Sequence, residues 1–305
     1  MKKRIKENGR AERQKTLRRR VLLALSVLIL AFIASAGISA IVCDTDLKVT
    51  DFDVKIDRIE RPFTAVLLTD LHDKQYGQDN EKLLELVCAQ NLDVIFCVGD
   101  MINEDADDAE VDRFCTLLER LGEIAPVYVS YGNHEKDYMK TAKKDLAPRI
   151  GAAGAVLLDE ECVTVEIAGN TICLGGTLGH LYSFGRGPAG YEASPEYKLM
   201  TEMQASGLPT IVLAHLPDTI IFAHAYDNWD IDLFLSGHTH GGVIRVPWFG
   251  GVYAPMQGWF PEYDAGYFAP GKVQLVISAG LAGHGYIPRI FNRPEVCILH
   301  IQDEE

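Results

Sequence analysis

Two histidines one residue apart, His238 and His240, stand in the stretch Ser236-Gly237-His238-Thr239-His240-Gly241-Gly242. Imidazole is the commonest metal-ligating side chain. The preceding run 231–235 (IDLFL) reads as a short buried strand. In an extended segment residues i and i+2 leave on the same side, so this spacing aims both rings at one region. The glycines on either side allow sharp turns and close backbone approach. On this stretch alone, a loop with two solvated histidines fits as well as a metal site, and ligands from elsewhere in the chain must decide.

Four other apolar runs end in polar clusters of the same kind. Residues 63–69 (FTAVLLT) lead to Asp70 and His72, and 93–98 (DVIFCV) lead to Asp100. Residues 126–130 (PVYVS) lead to Asn133, His134 and Glu135, and 210–214 (TIVLA) lead to His215. In α/β sheets ligands bind beyond the carboxyl ends of the strands, so these five clusters are expected to converge. The donors are nitrogen and oxygen with no thiolate, a set suited to Mn²⁺, Fe²⁺ or Zn²⁺ rather than Ca²⁺. They outnumber the three protein ligands of a usual catalytic ion. Two divalent metal ions sharing a carboxylate fit better: cations ~3.5–4 Å apart clamp the attacking and leaving oxygens of an in-line displacement and acidify a water between them.

The elements that must position these side chains follow from periodicity. A first strand lies near Leu47–Thr50. Buried strands 63–69, 93–98 and 126–130 alternate with amphipathic helices, one capped by Asp79-Asn80 and carrying Leu83, Leu84, Leu86 and Val87, one over 106–121, and a helical stretch over 137–150. Such alternation implies βαβ units and a largely parallel sheet. The pattern then changes: 162–167 and 171–174 around Ala168-Gly169-Asn170 read as a hairpin. A helix near 194–205, strands 210–214 and 231–235, and strands near 273–278 and 296–301 complete the body. There is no internal repeat and no low-complexity tract.

Residues 21–43 carry no charge over 23 positions. As a helix that is about 34 Å, slightly more than a bilayer core of about 30 Å. The basic N-terminal flank predicts an N-terminus inside and a body outside the cytoplasm. Ala34-Ser35-Ala36 offers a signal-cleavage site, Arg18-Arg19-Arg20 a loose twin-arginine signal and Cys43 a lipidation residue, but the uninterrupted length favours an uncleaved anchor. The expected organisation is a basic tail over 1–20, a transmembrane anchor (or signal segment) over 21–43, a connector with the first strand over 44–62, and a soluble domain over 63–305. The tail has a balance of +8 and the remainder of −22 within a net charge of −14. An acidic body argues against nucleic acid as a partner and suits cation binding. The seven cysteines (Cys43, Cys88, Cys97, Cys115, Cys162, Cys173, Cys297) form no CxxC and several lie in apolar segments. They read as small buried hydrophobes rather than a disulfide framework or zinc knuckle, which sits awkwardly with an extracytoplasmic body.

Asp-x-His, Gly-Asp, Gly-Asn-His-Glu, a lone strand-end His and Gly-His-Thr-His, in that order over about residues 60–301, resemble the calcineurin-like metallophosphoesterases. The run 237–247 (GHTHGGVIRVP), with Arg289 and 292–296 (NRPEV), is similar to their bacterial membrane-anchored branch. The resemblance implies a four-layer α/β/β/α sandwich and a dinuclear hydrolase of phosphodiester or pyrophosphate bonds, with a metal-bridging hydroxide as nucleophile. By matched position it implies Asp70, His72 and His240 on one metal, Asn133, His215 and His238 on the other, and Asp100 bridging. His134 is implied as the group that protonates the leaving oxygen or stabilises the transition state. Expected substrates are phosphorylated small molecules or lipid-linked phosphates of the envelope. Rival readings are a non-catalytic metal-binding scaffold, which has no need of His134, and a lipid- or wall-recognising domain.

Several residues depart from or add to that pattern. The second block continues as Met101-Ile102-Asn103 where related chains often carry a further acid, and Asn103 is expected to supply an outer hydrogen bond. Asp73 adds charge beside His72. Glu135 either orients His134 or is a solvated helix-start acid. His180 takes no assigned role in a region where relatives often carry acids. Arg289 is a substrate-phosphate candidate or a structural ion-pair partner, and Arg245 either contacts substrate or stitches its loop to the body. His284 and Tyr286 share the Gly-rich loop with Arg289, while His224 and His300 read as ordinary surface or core histidines. Residues 248–268 hold eight aromatics (Trp248, Phe249, Tyr253, Trp259, Phe260, Tyr263, Tyr267, Phe268). They fit a segment packed on the sheet edge, with a lid or lipid-touching surface as the functional alternative.

Overall fold

A computed structural model describes residues 2–303 other than Phe184, His284 and Tyr286, with side chains from Arg13 onward. The loop residues His284 and Tyr286 singled out above therefore lie outside the described residues. Two six-stranded sheets stack face to face. In the first, Lys48–Lys55 runs parallel to Glu295–Gln302, which lies antiparallel to Phe63–Leu68; Val94–Val98, Val127–Ser130 and Val156–Leu158 then follow in parallel. In the second, Gly266–Phe268 pairs antiparallel with Gln274–Ile277, then Leu233–Ser236, Thr210–Ala214 and Asn170–Thr177 run parallel, and Glu161–Ile167 closes the hairpin.

Strands covered on both faces read as continuous apolar runs, and Val94–Val98 is buried at every position. Leu67, Phe96 and Val98 of the first sheet meet Leu174, Leu213, Leu235 and Val276 of the second in the central core. Helices Glu81–Cys88 and Asp108–Gly122 cover the outer face of the first sheet through Leu83, Val87, Phe114 and Leu118. Helices Pro195–Ala205 and Asp218–Phe222 cover the second through Leu199, Met203 and Ile220. The layers are α, β, β and α, as expected.

Three local expectations are corrected. Asn80 does not cap its helix by side chain: it is left-handed, and its Oδ1 accepts from Tyr76 N at 2.9 Å. The helical stretch over 137–150 is two helices, Asn133–Ala142 and Ala147–Ala152, the first ended by Lys143 in the left-handed region. Cys88 is exposed, because it sits one position off the buried stripe of Leu83, Leu84 and Val87. Cys43, Cys97, Cys173 and Cys297 are buried free thiols.

The N-terminal helix, Lys2–Thr45, holds the one described segment long and apolar enough to cross a membrane, Arg13–Thr45, and fits a membrane anchor. Its last turns dock on the body. Cys43 is buried, Ser39 Oγ accepts from Phe291 N at 2.6 Å, and the Phe32 and Phe291 rings stand 6.0 Å apart.

Candidate metal centre

The parallel strands of both sheets deliver their polar ends to one cluster of side chains. Three donor groups gather there, each with atoms within 4.8 Å of one another: Asp70, His72 and His240; His72, Asp100 and His134; Asp100, His215 and His238. Asp100 belongs to two of them. Its Oδ2 lies 3.1 Å from His215 Nε2 and 3.9 Å from both His72 Nε2 and His134 Nε2, and Asp70 Oδ1 is 3.7 Å from His240 Nε2. His238 and His240 thus fall into different groups. Strand alternation does not place them, since neither is extended: φ is 69° at His238 and 48° at His240.

Left-handed backbone recurs around the centre, with φ of 53° at Asp70, 46° at His72 and 53° at Asp100. Each such non-glycine residue costs on the order of 1–3 kcal/mol and persists where surrounding bonds over-determine it. Those bonds are visible. Asp70 accepts from His238 N at 3.0 and 3.2 Å, and Asp100 Oδ1 accepts from His134 N at 2.8 Å. A Cβ at Gly237 would stand 2.4 Å from Asp70 Oδ2, and one at Gly132 2.2 Å from Asp100 Oδ1, so only glycine lets the carboxylates lie against these turns. Asn103 Nδ2 donates to His72 O at 3.3 Å, the outer support expected of it.

Glu135 is neither solvated nor a partner of the His134 ring. It is buried, and its carboxylate accepts from Asp100 N, Met101 N, Ile102 N and Gly132 N at 2.7–3.1 Å. Burial and the nearby Asp100 carboxylate push it up, while the N–H donors favour its charged form. It ties the Asp100 turn to the Asn133-His134 turn. The His134 ring faces Glu104 instead, with Nδ1 3.2 Å from Glu104 N and 3.1 Å from its Oε2.

A metal site leaves ligand atoms without protein partners. His72 Nε2 and Asn133 Oδ1 are buried with no hydrogen-bond partner, while His215 Nε2 has only the Asp100 carboxylate beside it and its other ring nitrogen is 2.9 Å from Val98 O. His240 Nδ1 is likewise 3.2 Å from Ala282 O. Such bonds fix the tautomer that leaves Nε2 free as ligand. Burial drives His72 down to about 4, and burial with His215 drives His238 down to about 3, so both are held neutral, the ligating form. Burial opposes charge on His215, yet the adjoining Asp100 carboxylate raises it to about 10. The residues present therefore fit divalent ions.

Of the remaining candidates, Arg289 lines the same cleft as His72 and His134. Arg289 is buried and its guanidinium is committed to main-chain oxygens: Nε to Asn292 O at 2.8 Å, and the terminal nitrogens to Ala279 O at 2.7 Å, Arg293 O at 3.3 Å and Ala282 O. A substrate phosphate would have to displace them, so its position is that of a staple for loop 279–293. Asp73 is paired with Arg113, with Arg113 Nε 2.7 Å from Asp73 Oδ1, which offsets its charge. Arg245 joins its loop to the body through Asp264 at 3.0 Å and Gly241 O at 3.0 Å. His180 is exposed, and His224 and His300 pair with Tyr226 and Asp51. The aromatic run divides: Tyr263 and Phe268 pack inward, whereas Trp248, Phe249, Trp259 and Phe260 are exposed, so it is not packed throughout. Asp218 stands three residues after His215. It is buried, and burial pushes its carboxyl up to about 6; a Pro-Asp helix start was its one sign.

The calcineurin-like phosphoesterase family model matches residues 63–242, which span every proposed ligand. The chain is a calcineurin-like phosphoesterase. This phosphoesterase is 29% identical over 242 residues to the phosphodiesterase YaeI of Escherichia coli, covering 79% of this chain and 82% of that one. It is 24% identical over 262 residues to the uncharacterized metallophosphoesterase YkuE of Bacillus subtilis, covering 84% and 86%. A Danio rerio transmembrane protein with a metallophosphoesterase domain is 28% identical over 263 residues, covering 80% of this chain and 56% of that one.

Proposed function

We propose that this phosphoesterase is a two-metal phosphodiesterase or pyrophosphatase acting beside the membrane that its N-terminal helix enters. The observation that carries the reading is the sharing of Asp100 between two donor groups, with His72 Nε2 and Asn133 Oδ1 buried without hydrogen-bond partners. Asp70, His72 and His240 would hold one ion, Asn133, His215 and His238 the other, with Asp100 common to both. Two divalent ions would supply Lewis-acid polarisation of the phosphoryl oxygens and a water acidic enough to attack near neutral pH. Mn²⁺, Fe²⁺ and Zn²⁺ all suit these donors.

The protein's part is position and proton transfer. The left-handed turns, anchored by Glu135 and the bonds to Asp70, hold the donors before substrate arrives. His134 lines the cleft with Nε2 3.9 Å from Asp100 and Nδ1 against Glu104, placed to give a proton to the leaving oxygen. A scaffold would have no use for that ring, which favours the enzyme.

The cleft, about 1130 Å³, runs from His72 and His134 to Ala40, Ile41 and Cys43 at the end of the N-terminal helix. That continuity supports a phosphoester carried on a lipid. The ten Lys/Arg of residues 1–20, beside the apolar run, support a cytoplasmic N-terminus and an outward body. The test is a screen of the full chain in detergent against an aryl phosphodiester, an aryl phosphomonoester, a soluble pyrophosphate and a lipid-linked pyrophosphate, with each metal in turn. Metal-dependent turnover of diester or pyrophosphate, faster with the lipid-linked compound, is expected. Turnover of the monoester alone would refute it.

A further inference from the structure

The body meets its N-terminal helix at a depth that a membrane span does not leave in water. Arg18, Arg19 and Arg20 pin one end of the charge-free run at Val21. At about 1.5 Å per residue, Phe32 lies about 17 Å beyond Val21, well inside a core of about 30 Å. Yet the ring of Phe291, a body residue, stands 6.0 Å from that of Phe32. Chain neighbours of Phe291 lead to exposed apolar side chains. Ile290 O accepts from Arg245 N at 2.9 Å and Ile290 bridges to Ile244. The hairpin beginning there, Arg245–Val246 with Gly250–Gly251, carries Trp248 fully exposed and Phe249 at 77% on its tip. Ile287, four residues before Phe291, is 49% exposed and also lines the cleft.

We propose that this face, the Trp248-Phe249 tip with residues 287–291, is embedded in the lipid leaflet on the body's side of the membrane. The inference rests on the reading of residues 21–43 as a membrane span. A bilayer is the occupant because the hairpin is joined through Ile244, Ile290 and Phe291 to the helix read as the span. Aromatic side chains suit that level, where an apolar body meets a wet boundary. With Ile287 and Ile41 on the cleft wall, the embedded face seats the cleft mouth at the headgroups, so that a lipid-borne phosphate reaches the donors without leaving the membrane.

The chain has three tryptophans, and Trp229 is buried in the body. The full chain is therefore reconstituted into phosphatidylcholine vesicles with or without brominated acyl chains, and tryptophan emission is read for wild type, Trp248→Phe and Trp259→Phe. Flotation with the vesicles is scored on the same samples. Wild-type emission should be quenched by brominated lipid, the quenching should fall by at least half in Trp248→Phe, and it should persist in Trp259→Phe. Both variants should keep hydrolysis of a soluble aryl diester in detergent. Quenching unchanged in Trp248→Phe, lost instead in Trp259→Phe, or absent from wild type that floats would overturn the embedded face alone. Failure of wild type to float would remove the span and the proposal together.

Discussion

The Nε2 of His215 lies 3.1 Å from Oδ2 of Asp100, in a pocket where both side chains are sealed from solvent. Burial disfavours charge on either, but each holds the other ionised, Asp100 well below the usual carboxylate range and His215 raised to about 10. One proton thus neutralises a pair that a divalent ion would occupy, and ion binding must release it. Apparent metal affinity is therefore expected to rise with pH between about 6 and 8, with net proton release by calorimetry in two buffers of different ionisation enthalpy. Binding without proton release would show that His215 is not displaced.

His134 differs from its neighbours in what its loss should do. His134→Ala should lower kcat by about 10²–10⁴-fold, the usual worth of a general acid. Bound metal should stay as in wild type, since the other donors are intact. A loss of metal in parallel with activity would make His134 a ligand instead.

Glu135 should govern stability rather than chemistry alone. Its carboxylate satisfies four buried N–H groups, and Glu135→Ala leaves them unpaired at about 1–3 kcal/mol each before relaxation. A loss of about 3 kcal/mol or more in urea unfolding of the apo chain is expected, with Glu135→Gln intermediate. A change under about 0.5 kcal/mol, the range of ordinary surface substitutions, would contradict the tie between the two turns.

Glu160 sets a pH-dependence away from the metals. Burial raises its carboxyl from 4.5 to about 7, with Thr177 Oγ1 and Leu178 N as partial compensation. An acid with a raised folded pKa binds more protons folded than unfolded, so its contribution is present at low pH and is lost as pH rises from about 4.5 to 7. Glu160→Gln should therefore stabilise the chain at pH 8, on the order of 2 kcal/mol, and do little at pH 4.5. Equal effects at both values would contradict this.

Arg289 separates a staple from a substrate ligand. Arg289→Lys cannot reproduce the planar fork, and is expected to lower the melting temperature by several degrees while leaving KM within about twofold. A tenfold rise in KM with unchanged stability would restore it as a phosphate ligand.

Much of this centre could be read from the chain because buried parallel strands are uninterrupted apolar runs. Each therefore announced its carboxyl end, and with it Asp70, Asp100, Asn133, His215 and His238. What lies beyond the strand ends was less accessible. The left-handed turns at Asp70, His72, Asp100, His238 and His240 follow from hydrogen bonds between segments far apart in sequence, which no local propensity encodes. His238 and His240 fall into different donor groups through these turns and not through strand alternation. Glu135 and Arg289 look like charged surface residues by type, and only the fold shows that their partners are main-chain groups. The exposure of Trp248 contradicts its hydrophobicity and is what the proposed lipid-facing surface would explain.

The most direct measurement is metal stoichiometry together with hydrolysis of an aryl phosphodiester for wild type, Asp100→Ala and His238→Ala. Two divalent ions per wild-type chain are expected, with fewer in both variants and hydrolysis reduced to background. Full metal-dependent hydrolysis by both variants, or an active wild type with a single ion, would contradict a two-metal centre joined by Asp100.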